Sequence, residues 1–319
     1  MRCGAVWTTA SRQATTSLGL ERGDSMEHAG QPASTVAGTS LGIVEYIDSG
    51  RGSPVLFVHG SPGGCDQGAV MGAFLVPRGF RVIALSRPGY LRTPLTETVK
   101  TPDQQADLEL ALMDSLGVER FGLMCWSGGG PSSYRLAAKH PDRVTALVVI
   151  AGVSKRYEFA NGINSLEYSL LTGGLGSWLL KEMARHTPKQ VVRMSVSEES
   201  DLSKEQAKEL SEHIWNDEDK RDFVLAVSGT ISGRKAGLNN DRGQFLQIGD
   251  LGLGMIRVPV LLVHGTADTD VRPDQTENAA GHIPDAEVIR VRNGTHLCTW
   301  TDPVSAGIQD RIAAAMTSA

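Results

Sequence analysis

Apolar residues in this chain recur as short runs that alternate with stretches of helical spacing. The clearest runs lie at 54–58, 80–85, 118–123, 144–150 and 258–263. Such runs are typical of strands in a parallel sheet that is buried on both faces. Further strands are predicted at 41–47 and 286–291. Because strand, helix and strand alternate, the pattern predicts an α/β fold with a mainly parallel sheet covered by helices on both faces.

A different pattern fills 154–257, where helical spacing continues without a convincing strand. Ser203 and Gln206 form a capping-box pattern, which predicts the start of one of these helices. A helical block between two sheet strands predicts an inserted cap over the catalytic edge of the sheet, acting as a mobile lid that sets substrate size. Trp178 and Trp215 are expected either to line the substrate pocket or to belong to the cap's own core.

The domain organisation follows from these patterns. Residues 1–36 are rich in serine, threonine, glycine and alanine without apolar periodicity, which predicts a disordered tail. The sheet domain is predicted to consist of 37–153 and 258–319, and the helical cap of 154–257. A chain of 319 residues suits one large domain that carries such an insertion.

Ser127 lies at the junction between a strand pattern and a helix pattern. The surrounding sequence at 124–130 is Met-Cys-Trp-Ser-Gly-Gly-Gly. This layout is typical of a nucleophile elbow, a sharp strand-to-helix turn that presents a serine hydroxyl. Gly128 and Gly129 suit a turn that leaves no room for side chains. The usual elbow reads G-x-S-x-G, and here Cys125 replaces the first glycine.

A glycine-rich loop, His-Gly-Ser-Pro-Gly at 59–63, follows the apolar run 54–58. Loops at the carboxyl ends of parallel strands are where α/β folds bind their ligands. Backbone N–H groups in such a loop can stabilise negative charge that develops on a carbonyl oxygen. The sequence therefore predicts an oxyanion hole formed by the N–H groups of Ser61 and Gly128.

A serine nucleophile needs a base within hydrogen-bond reach and an acid behind that base. His296 follows the last predicted strand, and two acids, Asp268 and Asp270, follow the strand before it. Loops at strand ends can bring these residues to the same edge of the sheet as the serine. His59 and His264 each follow an apolar strand and precede a glycine, which favours structural roles for both.

The chain carries several motifs that together resemble the α/β-hydrolase superfamily. They are His-Gly-Ser-Pro-Gly at 59–63, Arg-Pro-Gly at 87–89, Ser127 in its turn, His-Gly-Thr-Ala-Asp at 264–268 and Gly-Thr-His at 294–296. The resemblance covers nearly all of 40–316, and the order serine, acid, histidine is the family's own. It implies a triad of Ser127, Asp268 and His296, with Asp268 rather than Asp270 as the acid. It also implies that the helical insertion is the family's cap.

The first two motifs look like the branch that holds proline iminopeptidases, small-ester hydrolases and related capped enzymes. Two positions depart from that branch. Ser86 stands where many relatives have an acid before Arg-Pro-Gly, and Leu91 stands where many have glycine after the aromatic residue. Both departures are expected to affect loop structure more than chemistry.

These features predict a cofactor-independent serine hydrolase that cleaves a small carboxylic ester through an acyl-enzyme. The serine disfavours haloalkane dehalogenase and epoxide hydrolase chemistry, in which relatives attack with aspartate. Two other enzymes remain as alternatives, an aminopeptidase that releases N-terminal proline and a carbon–carbon bond hydrolase. A binding protein that kept the fold without catalysis is disfavoured by the complete set of Ser127, Asp268 and His296. The natural substrate and the oligomeric state stay open.

Composition excludes several other classes of function. The net charge of −5 gives no reason to expect a nucleic acid or an anionic membrane as partner, so a small-molecule substrate is expected. No apolar run is long enough to span a bilayer, and no cluster with metal-ligand spacing is present. The four cysteines show no paired spacing, which favours free thiols in a reducing compartment such as the cytoplasm. Cys298, which follows a loop, is expected to be the most reactive of them.

Overall fold

A mainly parallel sheet forms the centre of the molecule. The computed structural model describes residues 33–158, 182–198, 200–231 and 233–317. Its strands are β1 (Thr35–Thr39), β2 (Gly42–Gly50), β3 (Ser53–Val58), β4 (Phe80–Leu85), β5 (Phe121–Trp126), β6 (Val144–Ile150), β7 (Val260–Gly265) and β8 (Glu287–Val291). They form one sheet in the order β1-β2-β4-β3-β5-β6-β7-β8. The pairs β1–β2 and β2–β4 are antiparallel and the other pairs are parallel, which confirms the predicted fold class.

The central strands are buried on both faces of the sheet. In β3, Leu56 and Val58 pack into one apolar cluster and Phe57 packs into the other. In β5, Leu123 packs into the first of these clusters and Met124 into the second. Successive side chains of a strand point to opposite faces, so a strand covered on both sides is apolar at every position. This is why the strands are visible in the sequence as unbroken apolar runs.

Helices cover both faces of this sheet, as predicted. The helices with described bounds are α1 (Cys65–Gly72), α2 (Pro102–Ser115), α3 (Gly130–Lys139), α4 (Pro188–Glu198), α5 (Lys204–Asn216), α6 (Glu218–Gly229), α7 (Lys235–Phe245), α8 (Asp274–His282), α9 (Cys298–Thr301) and α10 (Ser305–Thr317). Leu112 of α2 and Leu136 of α3 belong to the cluster on one face. Met71 of α1 and Ile312 of α10 belong to the cluster on the other.

Helices α4 to α7 lie between β6 and β7, where the helical insertion was predicted. The hydroxyl of Ser203 accepts the N–H of Gln206 at the start of α5, which confirms the capping box. An isolated β-bridge pairs Ser200, between α4 and α5, with Asp268 in the loop after β7. The described part of the insertion thus contacts the loop that carries the predicted acid, while the bounds 154–257 stay a prediction.

Three of the inserted helices share an apolar cluster of their own, formed by Val192, Val196, Ile214 and Val224. Trp215 packs against this cluster, and its ring lies near the cations of Lys189 and Arg221, 5.7 Å and 5.8 Å from the ring centroid. Of the two interpretations of Trp215, these contacts favour a place in the apolar core of the inserted helices. Trp178 lies outside the described residues.

The first strand of the sheet begins slightly before the predicted start of the sheet domain at residue 37. Strand β1 begins at Thr35, inside the stretch assigned to the tail at 1–36, and Thr35 pairs with Tyr46 of β2. An edge strand packs little of its surface, and most of β1 is exposed, so its sequence lacks the apolar signal of a central strand. The strand predicted at 41–47 is the first part of β2. Residues 1–32 of the predicted tail lie outside the described residues.

Candidate active site

Ser127 occupies the turn between β5 and α3. Its backbone φ is 53°, in the left-handed region that residues with a side chain seldom adopt. This strained turn is the geometry expected of a nucleophile elbow. Cys125 is fully buried within β5, where it pairs with Val58 and Val149 on the neighbouring strands. Because a small side chain fits that position, the missing glycine does not interrupt the strand.

Asp268 is buried in the loop after β7 and accepts several hydrogen bonds. Its Oδ1 accepts the N–H groups of Asp270 at 2.9 Å and Val271 at 3.1 Å. Its Oδ2 lies 2.6 Å from Nδ1 of His296 and 3.2 Å from Nε2 of His264. Burial alone would raise the pKa of Asp268, but the charge of His296 and hydrogen bonds from both histidines outweigh burial and lower it. The carboxylate therefore stays charged beside His296.

His296 lies between two carboxylates, one at each ring nitrogen. Nδ1 faces Asp268, and Nε2 lies 3.4 Å from Oδ2 of Asp270. Because the Asp268 carboxylate can only accept, the proton of a neutral imidazole ring belongs on Nδ1. The indole of Trp126 packs on the imidazole with 4.7 Å between centroids, and its N–H donates to the His296 carbonyl at 3.2 Å. The structure thus brings both predicted acids to His296, on opposite nitrogens.

The glycine-rich loop after β3 packs directly on the turn that carries Ser127. A Cβ added to Gly128 would lie 2.1 Å from Oγ of Ser61, and one added to Gly60 would lie 3.1 Å from Cβ of Ser127. Gly128 lies in a short 3-10 helix, Ser127–Gly129, that leads into α3. The N–H groups at the start of a helix lack intrahelical acceptors, which leaves the N–H of Gly128 for another partner. The two residues predicted to form the oxyanion hole are therefore neighbours.

The two other histidines at strand ends have structural partners, as predicted. Nε2 of His59 accepts the N–H of Arg87 at 2.9 Å. Burial and the charge of Arg87 lower the pKa of His59 well below its ordinary value, so it stays neutral. His264 is buried with Nδ1 2.6 Å from Oγ1 of Thr276 and Nε2 2.7 Å from the Val271 carbonyl. His264 thereby braces the loop that holds the acid.

Behind the glycine-rich loop lies a buried ion pair to which the sequence analysis gave no role. Nη2 of Arg87 lies 2.7 Å from Oδ2 of Asp241, and each side chain is 1% exposed. Arg87 belongs to the Arg-Pro-Gly motif, but Asp241 lies on α7, in the helical segment between β6 and β7. Helical spacing places Asp241 on a helix without indicating what the side chain faces, so no local signal could have identified this pair.

Ser86 and Leu91, the two positions that depart from the pattern of the related capped enzymes, both affect loop structure. Oγ of Ser86 accepts the N–H of Cys65 at 3.0 Å and lies 3.5 Å from Oε2 of Glu45. Glu45, buried in β2, thus supplies a carboxylate beside the position where many relatives have an acid. Leu91 has a φ of 49°, a left-handed conformation that glycine adopts without steric cost. That backbone conformation is a physical reason for glycine at this position.

The expectation of a reactive Cys298 was wrong. Cys298 is 1% exposed because it begins α9, which packs against the sheet, instead of extending the preceding loop. Burial raises its pKa, so the reactive thiolate is disfavoured. Burial likewise raises the pKa values of Cys65 and Cys125 to about 12. These thiols behave as small apolar core residues.

A family model described as the alpha/beta hydrolase fold matches residues 53–303. The chain belongs to the α/β-hydrolase family. A solved alpha/beta hydrolase fold protein from Nakamurella multipartita is 47% identical to this α/β-hydrolase, with a TM-score of 0.85. That alignment covers 89% of this chain and 99% of the other.

Curated hydrolases also match over most of their length. The uncharacterized hydrolase YcgS of Bacillus subtilis (strain 168) is 27% identical, over 80% of this chain and 89% of its own. The 2-hydroxy-6-oxononadienedioate/2-hydroxy-6-oxononatrienedioate hydrolase 2 of Pseudomonas putida is 26% identical, over 81% of this chain and 86% of its own. Together with the family match, these similarities identify this α/β-hydrolase as a hydrolytic enzyme.

The described residues contain neither a candidate metal site nor a helix suited to span a membrane. Within 33–158, 182–198, 200–231 and 233–317, no group of three or more His, Cys, Asp or Glu side chains could hold a metal ion. In the same ranges, no helix is both long and apolar enough to cross a membrane. Enzymes with this hydrolase fold act on small-molecule substrates.

Glu109 is a buried carboxyl on α2. It is 1% exposed, and burial raises its pKa to about 8, an effect that Ser132 and Arg87 offset only in part. The unfolded chain ionises this group near its ordinary pKa of 4.5, whereas the folded chain keeps it neutral up to about pH 8. Folding stability therefore falls as the pH rises between these two values.

We expect Glu109→Gln to stabilise the protein at neutral pH, because glutamine cannot ionise in the unfolded chain. The gain at pH 7 should be roughly 3 kcal/mol and should shrink toward pH 4.5. Urea unfolding at pH 4.5, 6 and 7 measures it. Asp107→Asn, at a carboxylate of the same helix that is 43% exposed, is the matched control and should change stability by less than about 1 kcal/mol. A gain that grows as the pH falls would contradict this assignment.

Proposed function

We propose that this α/β-hydrolase cleaves a small carboxylic ester through an acyl-enzyme. Ser127 is the nucleophile, His296 the general base and Asp268 the residue that orients the base, while the N–H groups of Ser61 and Gly128 hold the oxyanion. The observation that carries the proposal is the 2.6 Å contact between Oδ2 of Asp268 and Nδ1 of His296. It lies at the same edge of the sheet as the strained turn of Ser127.

The reaction follows from these positions. Oγ of Ser127 attacks the ester carbonyl carbon while Nε2 of His296 accepts the hydroxyl proton. Negative charge then develops on the carbonyl oxygen, where the N–H groups of Ser61 and Gly128 stabilise it. The imidazolium returns its proton to the leaving alkoxide, and water, activated by the same nitrogen, hydrolyses the acyl-enzyme. The charged Asp268 stabilises the imidazolium and holds the ring in one tautomer.

The preference for a small acyl group is supported by Phe245 at the end of α7. Its Cζ lies 3.3 Å from the position that a Cβ on Gly128 would take, and the residue is 3% exposed. The ring is held in place by Tyr157, whose ring centroid lies 6.3 Å away and whose N–H donates to the Phe245 carbonyl at 3.0 Å. A fixed aromatic ring against the oxyanion position limits the space for an acyl chain there.

We expect Phe245→Ala to shift the preference toward longer acyl chains, because it removes the ring that limits this space. The ratio of kcat/KM for the butyrate ester to that for the acetate ester should rise roughly tenfold, as expected for added apolar contacts in a pocket. Hydrolysis of p-nitrophenyl esters of rising chain length measures the ratio. Trp215→Leu is the control, because Trp215 packs in the cap's own cluster and should lower thermal stability without changing the ranking. An unchanged ranking in Phe245→Ala would remove Phe245 from the acyl pocket.

A carbon–carbon bond hydrolase is the second candidate, favoured by the relatives in Pseudomonas putida whose names specify dienedioate substrates. Such substrates carry carboxylates, which require cationic partners. The two buried arginines beside the glycine-rich loop, Arg87 and Arg234, are already paired with Asp241 and Asp66. This pairing leaves the ester as the better-supported substrate.

One substrate panel tests the proposed function against its alternatives. It contains p-nitrophenyl acetate, butyrate and octanoate, proline p-nitroanilide and a 2-hydroxy-6-oxodienedioate. Preferred turnover of the short esters, with covalent labelling by a fluorophosphonate, is the expected result. Preferred turnover of the dienedioate would replace the ester hydrolase with the carbon–carbon bond hydrolase. Preferred turnover of proline p-nitroanilide would identify an aminopeptidase.

A further inference from the structure

We propose that Asp241, on the cap helix α7, is a positioning residue that holds Ser61 against Gly128 and thereby orients the oxyanion hole. This role rests on the proposed function, since it concerns the charge that forms during ester hydrolysis. Asp241 acts through Ser61 and the loop around it, and the transition state is affected only through that loop.

Side chains from two loops of the core converge on the carboxylate of Asp241. Its Oδ2 accepts hydrogen bonds from Oγ of Ser61 at 2.5 Å, from Oη of Tyr90 at 2.5 Å and from Nη2 of Arg87 at 2.7 Å. Its Oδ1 accepts a hydrogen bond from Nη1 of Arg87 at 3.0 Å. The carboxylate is 1% exposed, so water does not compete for these donors. Hydrogen bonds to a buried charge are stronger and more directional than those to neutral groups. The cap thus holds the Ser61 hydroxyl through a charged acceptor.

Arg87 also donates hydrogen bonds to the backbone of the glycine-rich loop. Its Nε donates to the His59 carbonyl at 3.1 Å, and its Nη2 donates to the Gly60 carbonyl at 3.0 Å and to Oγ of Ser61 at 2.9 Å. A guanidinium is planar and presents its donors in a rigid fork, so fixing one side of it fixes the other. The pairing with Asp241 therefore sets the orientation of three successive loop residues.

A second ion pair, in which the inserted segment supplies the cation and the core the carboxylate, holds the other end of the loop; Arg234 is buried, whereas the Asp66 side chain is 37% exposed. Arg234, next to α7, donates from Nη1 to the Gly63 carbonyl at 2.8 Å and from Nη2 to Oδ2 of Asp66 at 2.6 Å. Between the two pairs, the N–H of Gly237 in α7 donates to the Gly89 carbonyl at 2.9 Å. Helix α7 and the residue before it are therefore tied to the core along their length, unlike the mobile lid expected of the cap as a whole.

Stability alone gives a poor account of this arrangement. A buried ion pair is often no more stabilising than apolar side chains of the same volume, because removing charges from water is costly. The pair of Arg87 and Asp241 fixes the position of Ser61, whose N–H is a proposed oxyanion donor. Oxyanion donors must lie at hydrogen-bond distance from the transition state, and a displacement of about 1 Å can cost about a hundredfold in rate.

The test compares Ser61→Ala, Asp241→Asn and the double variant with the wild type. Ser61→Ala keeps the backbone N–H and removes only the hydroxyl that bonds to Asp241. We expect each single variant to lower kcat about tenfold to a hundredfold while KM changes less than about threefold, because the oxyanion exists only in the transition state. The double variant should lose less than the product of the single losses, because both changes break one connection. The rate of fluorophosphonate labelling should fall in parallel.

Asn240→Ala is the matched control, since Nδ2 of Asn240 joins α7 to the Lys100 carbonyl at 2.8 Å without touching the loop. It should leave kcat within about twofold of the wild type. Folded Ser61→Ala and Asp241→Asn with kcat values equal to that of this control would overturn the role of Asp241. If Asp241→Asn does not fold, Ser61→Ala decides alone by the same criterion. A wild type that no fluorophosphonate labels would contradict the proposed function itself, which is a separate result.

Discussion

Replacing Ser127 with alanine is expected to lower kcat for ester hydrolysis by on the order of 10⁵-fold to 10⁶-fold, the loss seen when a serine nucleophile is removed. Alanine has no atom that could form the acyl-enzyme, so what remains reflects binding and the oxyanion hole alone. The left-handed φ of 53° at this position is the strained backbone geometry expected of a turn that presents a nucleophile. Covalent labelling by a fluorophosphonate should disappear completely. Rate assays and intact-protein mass spectrometry measure the two effects.

Ser132→Ala provides the control for Ser127→Ala. Ser132 is a second buried serine of the same turn-and-helix segment, and its hydroxyl lies 3.4 Å from the Gly129 carbonyl. The Ser132→Ala variant should retain labelling, with kcat within a few-fold of the wild type, because the Ser132 hydroxyl contacts the Gly129 carbonyl and Glu109 and has no part in the proposed mechanism. Undiminished turnover in folded Ser127→Ala would exclude the acyl-enzyme mechanism.

Asp268→Asn is expected to lower kcat by about 10³-fold to 10⁴-fold. The asparagine amide can still accept the N–H groups of Asp270 and Val271 through its oxygen, so the loop should keep its shape. Its NH₂ group would then face Nδ1 of His296 and force the ring proton onto Nε2. A protonated Nε2 cannot accept the proton of Ser127. Initial rates at 25 °C, with circular dichroism to check folding, measure the loss.

Asp270→Asn separates the two acids of the same loop. Its carboxylate lies at Nε2 of His296, 3.4 Å away, and its side chain is 41% exposed, so it cannot hold the Nδ1 tautomer. We expect this variant to lose less than about tenfold in kcat, since a partly exposed pair is weak. If Asp270→Asn caused the large loss and Asp268→Asn the small one, the orienting acid would be Asp270.

Asp268 also links activity to acid stability. Its pKa is lower in the folded protein than in the unfolded chain, because the charge of His296 and two histidine hydrogen bonds outweigh the effect of burial. The stability that this carboxylate contributes is therefore present above its unfolded pKa and is lost as the pH falls through the folded one. Because Asp268→Asn loses this contribution at neutral pH, its rates are to be compared with the wild type well below the melting temperature of the variant.

Sequence patterns alone predict the sheet and the order along the chain of the candidate catalytic residues. Central strands such as β3 and β5 are buried on both faces, so nearly all of their residues are apolar and the strands are recognisable in the sequence as unbroken apolar runs. The turn at Ser127 and the loops before Asp268 and His296 are local motifs at strand ends, and strand ends of a parallel sheet meet at one edge. The edge strand β1 left no such signal, because most of its residues face solvent.

Only the tertiary structure decided which side chains face one another. Asp268 and Asp270 are two positions apart, and their sequence does not distinguish them, whereas the fold places one at Nδ1 and the other at Nε2 of His296. Cys298 follows a loop in sequence but is buried in the core. Asp241 lies 154 residues from Arg87, and helical periodicity gives a residue's phase on its own helix without its partner. Such long-range pairings depend on how separate elements pack, which local sequence patterns do not encode.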